Sequence, residues 1–309
     1  MPGERVLVTG ASGQLGAALT AALRRDLGGD AVVATDLRDP ELPESLGDGP
    51  FERVDILSRD ELRRIIERNR IDSVYHMAAL KSAEAESRRE AAWNVNVNGL
   101  YNVLDSMRSR PGAKLLFPSS IAAFGPAGGD PVSLYGVTKR TGEMLCGFFR
   151  DRFDLDTRAL RLPGVLWPAF EIGGGGLTDF AAEIFHEANA HGRYESYLEA
   201  RTELELIYLP DALDAMRALM DAPADRLRRS GAYAIRAFSA SPESLADKIR
   251  ETIPSFSLEV RVDEARQRMA QSLPTGVDDS AAREDWGFEP DYTLKRTATD
   301  MIERLVGKR

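Results

Sequence analysis

The chain has 309 residues, 43% hydrophobic and 29% charged, with a net charge of -9 and one cysteine. That length allows one large or two small domains with an ample core, and the acidic balance argues against nucleic acid, which needs clustered Lys and Arg on its phosphates. No apolar run is long enough to span a bilayer, Met1–Arg5 pass into Val6-Leu7-Val8 without the apolar stretch of a secretory signal, and Cys146 has no partner for a disulfide. The expectation is a cytoplasmic protein with a small-molecule substrate, no membrane or nucleic-acid partner, and no metal.

In chain order, a strand over Arg5–Thr9 ends in Gly10-Ala11-Ser12-Gly13-Gln14-Leu15-Gly16, and a helical pattern covers Gln14–Arg25. Glycines without a Cβ permit a tight turn and a close approach of backbone to pyrophosphate, and the helix N-terminus adds N–H donors and a positive dipole end. Ala31–Thr35 forms the next strand and ends in Asp36, twenty residues after Gly16. That is the place of an acid that hydrogen-bonds ribose hydroxyls. Its charge repels a 2′-phosphate and favours NAD over NADP, whereas Arg38 points the other way.

Further strands at Arg53–Val54, Ser73–His76, Lys114–Pro118 and Asp156–Leu162 alternate with helical stretches near Arg59–Asn69, Arg88–Arg108 and Val132–Arg152. Such alternation predicts an α/β fold with a doubly wound parallel sheet of the Rossmann type. The pattern breaks in the Gly- and Pro-rich segment from Trp167 to Thr178. A helix near Asp179–Asn189, a strand at Leu204–Leu209 and a helix at Asp211–Asp221 follow, then short mixed elements. Residues 1–163 are expected to form the dinucleotide domain, with 204–235 returning to it. Residues 164–203 and 236–309 are expected to form a smaller interleaved α/β substrate-binding cap.

The strand Leu115-Leu116-Phe117 ends in Pro118-Ser119-Ser120, and Tyr135 and Lys139 stand four apart at a helix start. That spacing puts both on one face. An ammonium beside a phenol stabilises the phenolate and lowers its pKa toward working pH, and Ser120 is placed to hydrogen-bond the oxygen that Tyr135 deprotonates. Lys139 also suits the nicotinamide ribose. The remaining suspects read as packing residues: His76 at a strand end, Trp93 and Trp286 in amphipathic patterns, Cys146 in a helix, and His186 and His191 without a third ligand.

With Gly10, Gly13, Gly16, Asp36, Ser120, Tyr135 and Lys139 in place, the sequence resembles the extended short-chain dehydrogenases/reductases. Within them it is most similar to the L-threonine 3-dehydrogenase branch. The marks of that branch are Pro118–Pro126, Arg161-Leu162-Pro163-Gly164, Gly173–Phe180, Ile253-Pro254-Ser255-Phe256, Arg266-Gln267 and Asp278–Gly287. The resemblance implies NAD contacts from Gly10, Ser12, Gly13, Gln14, Leu15, Gly16, Asp36, Leu37, Arg38, Asp55, Ile56, Met77, Ala78, Ala79, Tyr135, Lys139 and Leu162. It implies substrate contacts from Lys81, Ser82, Ser120, Tyr135, Gly176, Leu177 and Thr178, with the loop Gly174–Thr178 folding over an amino acid. It further implies a homodimer through the helices near 88–108 and 132–152, whose apolar stripes include Trp93, Val97, Leu100, Leu104, Leu145 and Phe148. Leu177, Lys81, the strand at 204–209 and a short 125–134 loop depart from the branch. A sugar-nucleotide epimerase or dehydratase is the alternative: Lys81 favours it, and Pro163-Gly164, where those enzymes usually carry an Asn nearby, disfavours it.

Overall fold

A computed structural model describes residues 3–41, 43–125, 128–168, 176–227 and 231–306. Seven parallel strands make the main sheet: β1 (Val6–Thr9), β2 (Val32–Asp36), β3 (Phe51–Arg53), β4 (Ser73–His76), β5 (Lys114–Ser120), β6 (Asp156–Leu162) and, after three strands outside this sheet, β10 (Tyr233–Ala234). Their order is β10-β6-β5-β4-β1-β2-β3. The chain runs outward from β1 to β3 on one side and from β4 to β10 on the other, so the winding reverses between β1 and β4. β1 and β4 are buried along their whole length, as is β5 from Leu115 to Ser119, and most of their side chains are apolar or small. A strand covered by helices on both faces needs that composition.

Helices α1 (Gln14–Leu27), α2 (Arg59–Arg68), α3 (Ser82–Ser87), α4 (Arg89–Trp93), α5 (Leu100–Met107) and α6 (Leu134–Phe153) belong to this half. Leu19 and Leu23 of α1 pack with Val6, Val8 and Leu116 on one face of the sheet. Leu62 and Ile66 of α2, Leu104 of α5 and Phe149 of α6 pack with Leu7, Val74 and Leu115 on the other. The helical stretch expected near 88–108 is one continuous run of α4, a π-helical stretch Asn94–Gly99 and α5. Within the π-helical stretch, Asn96 is buried and its side chain bonds both Leu80 N (2.8 Å) and Leu80 O (3.1 Å). The third strand also sits two residues earlier than its apolar pattern suggested.

Two small sheets build the other half: β7 (Gly164–Leu166), β9 (Leu204–Tyr208) and β11 (Phe238–Ala240) in one, β8 (Arg193–Ser196) and β12 (Ser257–Val260) in the other. They pack with α7 (Phe180–His191), α9 (Pro242–Arg250) and α12 (Leu294–Val306) around Phe180, Phe185, Leu206 and Met301. Between these, α8 (Leu209–Asp221) packs against the main sheet through Ala212, Met216 and Leu219. α10 (Glu264–Ser272) and α11 (Ser280–Trp286) complete the chain. No described helix is long and apolar enough to cross a membrane.

The apolar stripes expected on the outer helices are partly inward. Val97, Leu100 and Leu104 are buried, and Leu145 packs against the core. Trp93 and Phe148 stay exposed, joined by Tyr101 and Met144.

Candidate active site

The register pairs Thr9 with His76, so the turn after β1 and the segment after β4 lie side by side where the strand order reverses. Ligands of open α/β sheets bind at that crevice. Gly10 has φ +69°, and a Cβ on it would come within 2.4 Å of Ala78 N. A Cβ on Gly16 would come within 2.1 Å of Gly10 O. The protein's own packing demands these two glycines. Gly13 differs, since its Cβ would meet only Gly10 O at 3.3 Å. The protein leaves space there, beside the positive end of α1 at Gln14 and Leu15, and a diphosphate fits that space.

Asp36 closes β2. Its carboxylate accepts from Ser12 N (3.0 Å) and Arg38 N (3.1 Å), while the Ser12 hydroxyl donates to Arg38 O (2.8 Å). Each carboxylate oxygen keeps capacity for a ribose hydroxyl. Leu37 and Arg38 are exposed beside it. Asp55 caps Leu57 N at 2.9 Å. Ile56 is nearly buried, lying where a Cβ on Gly99 would come within 2.5 Å of its Cδ1. Met77, Ala78 and Ala79 extend β4 until Asn96 clamps Leu80. These positions fit an adenosine diphosphate laid across the sheet edge.

Ser120 is the last residue of β5 and stands opposite Leu162. Its Oγ accepts from Ala122 N at 3.1 Å and lies beside the Tyr135 phenol. Tyr135 and Lys139 lie one turn apart near the start of α6, whose N-terminus is capped twice: the Ser133 hydroxyl accepts from Gly136 N (3.1 Å) and the Glu86 carboxylate from Leu134 N (2.7 Å). Burial pushes the partly exposed Tyr135 up to about 12, with the Ser120 hydroxyl opposing it, and pushes Lys139 down to about 8, with the Glu143 charge opposing. Lys139 Nζ is 5.6 Å from the Tyr135 ring centre and donates to Pro118 O at 2.6 Å. The ammonium therefore bonds a main-chain carbonyl, and the phenol stands above its ordinary pKa rather than below it as the spacing alone suggested. Desolvation outweighs a cation that does not touch the oxygen. His76 is buried, shares a 2.9 Å hydrogen bond with Thr9, and is lowered to about 3 by burial and by Lys139. It is a neutral packed residue.

Lys81 and Ser82 stand at the start of α3. Lys81 Nζ donates to Gln14 Oε1 at 3.2 Å, so this substrate-side candidate reaches across to the phosphate turn. In the candidate substrate loop, Gly173–Gly175 lie outside the described residues. Gly176, one of the expected substrate contacts, has its N–H donating to Asp179 Oδ2 at 2.7 Å. Leu177 packs on the core of the small sheets, and Thr178 fills the space beside Gly164, where a Cβ would come within 2.6 Å of Thr178 Cγ2. Asp179, buried and raised to about 6 by desolvation, was not singled out in the sequence, because an Asp opening a helix reads as ordinary. Asn96 and Glu86 were missed too: each acts through a contact distant in sequence that no local pattern signals.

The model of the NAD dependent epimerase/dehydratase family matches residues 6–235. An uncharacterized epimerase/dehydratase of Staphylococcus haemolyticus is 39% identical, covering 99% of this chain and 98% of the relative. The X-ray structure of L-threonine dehydrogenase from Clostridium difficile superposes with a TM-score of 0.95 at 39% identity, over 100% of this chain and 99% of that one. The holo form of a GalE-like L-threonine dehydrogenase from Cupriavidus necator gives 0.92 at 36% identity, over 97% and 99%. The chain belongs to the NAD-dependent epimerase/dehydratase family, among the extended short-chain dehydrogenases/reductases, and its cofactor is NAD(H).

Proposed function

We propose that the protein oxidises the 3-hydroxyl of L-threonine, or of a close β-hydroxy-α-amino acid or phosphonate analogue, to the 3-oxo product. The observation that carries this reading is the convergence of Ser120, Tyr135 and Lys139 at the carboxyl end of β5, beside the dinucleotide cradle. NAD, when bound, supplies the acceptor for hydride from C3. Ser120 holds the substrate hydroxyl against Tyr135. The Tyr135 oxygen takes the hydroxyl proton as general base, and general bases contribute about 10²–10⁴-fold. Lys139 holds positive charge near the phenol as its proton leaves and engages the nicotinamide ribose.

Full-length similarity to L-threonine dehydrogenases supports the substrate class. The sugar-nucleotide reading finds less support: Thr178 takes the space beside Gly164 that a diphosphate-binding Asn would need. Incubation with NAD and a panel of β-hydroxy amino acids, followed by NADH absorbance, tests the reading. Turnover of L-threonine or a near relative is expected. Inactivity on the whole panel with interconversion of sugar nucleotides would replace it by the alternative.

A further inference from the structure

Below the catalytic pair, one turn past Lys139 on the same face of α6, lies a buried carboxylate with no role in the chemistry described so far. Glu143 has a side chain only 4% exposed. It accepts from Arg161 Nε (2.7 Å) and Nη2 (2.6 Å), from the Ser119 hydroxyl (2.6 Å), and from Arg140 Nη1 (3.2 Å). Ser119 precedes Ser120 on β5 and Arg161 precedes Leu162 on β6, and these neighbours are paired across the two strands. Arg161 in turn stacks on Phe124, 4.0 Å from its ring centre, in the segment that follows Ser120. One carboxylate thus ties together the three elements that deliver Ser120, Leu162 and the Tyr135–Lys139 pair.

A buried, fully hydrogen-bonded ion pair of this kind is weak evidence for stability, because desolvation offsets most of its attraction. Its placement has a different consequence. We propose that Glu143 is a positioning residue that keeps Lys139 protonated and holds the Ser120 strand end against α6. The proposal rests on the dehydrogenase reading above.

The charges around Lys139 are few. Tyr135 and Glu143 share its helix, Pro118 O and the Phe117 ring face it from β5, and neutral His76 lies on β4. Arg161 is the buried cation that Glu143 pairs with, Arg140 a half-exposed one beside it, and Cys146 near the same carboxylate is a buried thiol kept protonated by desolvation. Glu143 is accordingly the anion that opposes the desolvation of Lys139. Without it, Lys139 faces a buried Arg161 that no longer has a counter-charge. Its proton then leaves at lower pH, and turnover falls off at lower pH with it.

The chain has only six lysines, Lys81, Lys114, Lys139, Lys248, Lys295 and Lys308, so Lys139 can be followed by NMR in protein carrying 13C at lysine Cε, with Lys139→Arg giving the assignment. For Glu143→Gln, the Lys139 titration midpoint is expected to drop by about one pH unit, the smaller end of what one adjacent opposite charge produces. The alkaline limb of kcat/KM should drop with it. Glu143→Gln/Arg161→Gln removes the orphaned cation and should place both midpoints between those of Glu143→Gln and the wild type. It carries the test if the single variant does not fold. An unmoved Lys139 midpoint overturns the proposal, and so does a moved midpoint with an unmoved rate profile. A moved midpoint in a protein that oxidises no hydroxy amino acid sinks the dehydrogenase reading and leaves the Glu143–Lys139 coupling standing.

Discussion

Tyr135 is the residue on which the proposed chemistry turns. Its phenol, raised to about 12 by burial, is protonated at neutral pH, and Lys139, lowered to about 8, stands one helical turn away with its Nζ 5.6 Å from the Tyr135 ring centre. The deprotonated fraction of the phenol grows with pH well below its midpoint, so oxidation should speed up as pH rises and break near pH 8 as the ammonium is lost; a flat pH–rate profile would contradict this. Tyr135→Phe withdraws proton acceptance, mainly a transition-state interaction, and should cut kcat about 10²–10⁴-fold with NAD affinity nearly unchanged. Ser120→Ala should act in the same direction more weakly, and Lys139→Ala should also weaken NAD binding. Stopped-time NADH assays and fluorescence titration with NAD separate these outcomes. At the other end of the cofactor, Asp36 holds its carboxylate on Ser12 N and Arg38 N. Asp36→Ala should narrow the preference for NAD over NADP in kcat/KM, because repulsion of the 2′-phosphate and the ribose hydrogen bonds go together. An unchanged ratio would remove Asp36 from cofactor choice.

Among the elements, α6 matters most, because it carries Tyr135 within its first turn and its N-terminal N–H groups are held by Ser133 and Glu86. Helix caps of this type contribute about 1 kcal/mol. Ser133→Ala should lower stability by about that amount in denaturant unfolding. Glu86→Ala frees the N-terminus from α3 and should lower stability similarly while also lowering kcat, since the first turn that carries the phenol loosens. Stability loss in Glu86→Ala without loss of kcat would show that α3 does not position Tyr135. The strand–turn–helix at 6–27 and the Tyr135–Lys139 spacing were legible because each is local: a period, a glycine turn, a four-residue step. The π-helical stretch Asn94–Gly99 and its contact were not legible, because the Asn96 side chain serves a loop sixteen residues away.

At the scale of the molecule, Trp93 and Tyr101 remain exposed on the 89–107 segment and Met144 and Phe148 on α6, although four of the six residues first expected on this face point inward or pack on the core. Large apolar side chains left in water on adjacent helices mark an association surface. A two-fold pairing of these helices into a homodimer is the proposal for this surface. Light scattering at micromolar concentration should give twice the chain's 34.0 kDa, and Phe148→Glu should shift the mass to that of one chain. A monomer mass for the wild-type protein would refute the pairing.

The sequence by itself determined the strand–helix alternation of the parallel sheet and the glycine turn after β1, and it singled out Ser120, Tyr135 and Lys139 as candidates, because hydrophobic period, glycine turns and helical spacing are properties of neighbouring residues. Only the tertiary structure decided the state of those groups. It placed the Lys139 ammonium on Pro118 O rather than on the phenol, raised Tyr135 by burial, engaged Gly176 N with Asp179, and joined Glu143 to Arg161 and Ser119. Desolvation and contacts between distant segments set each of these, and neither exists until the chain has packed.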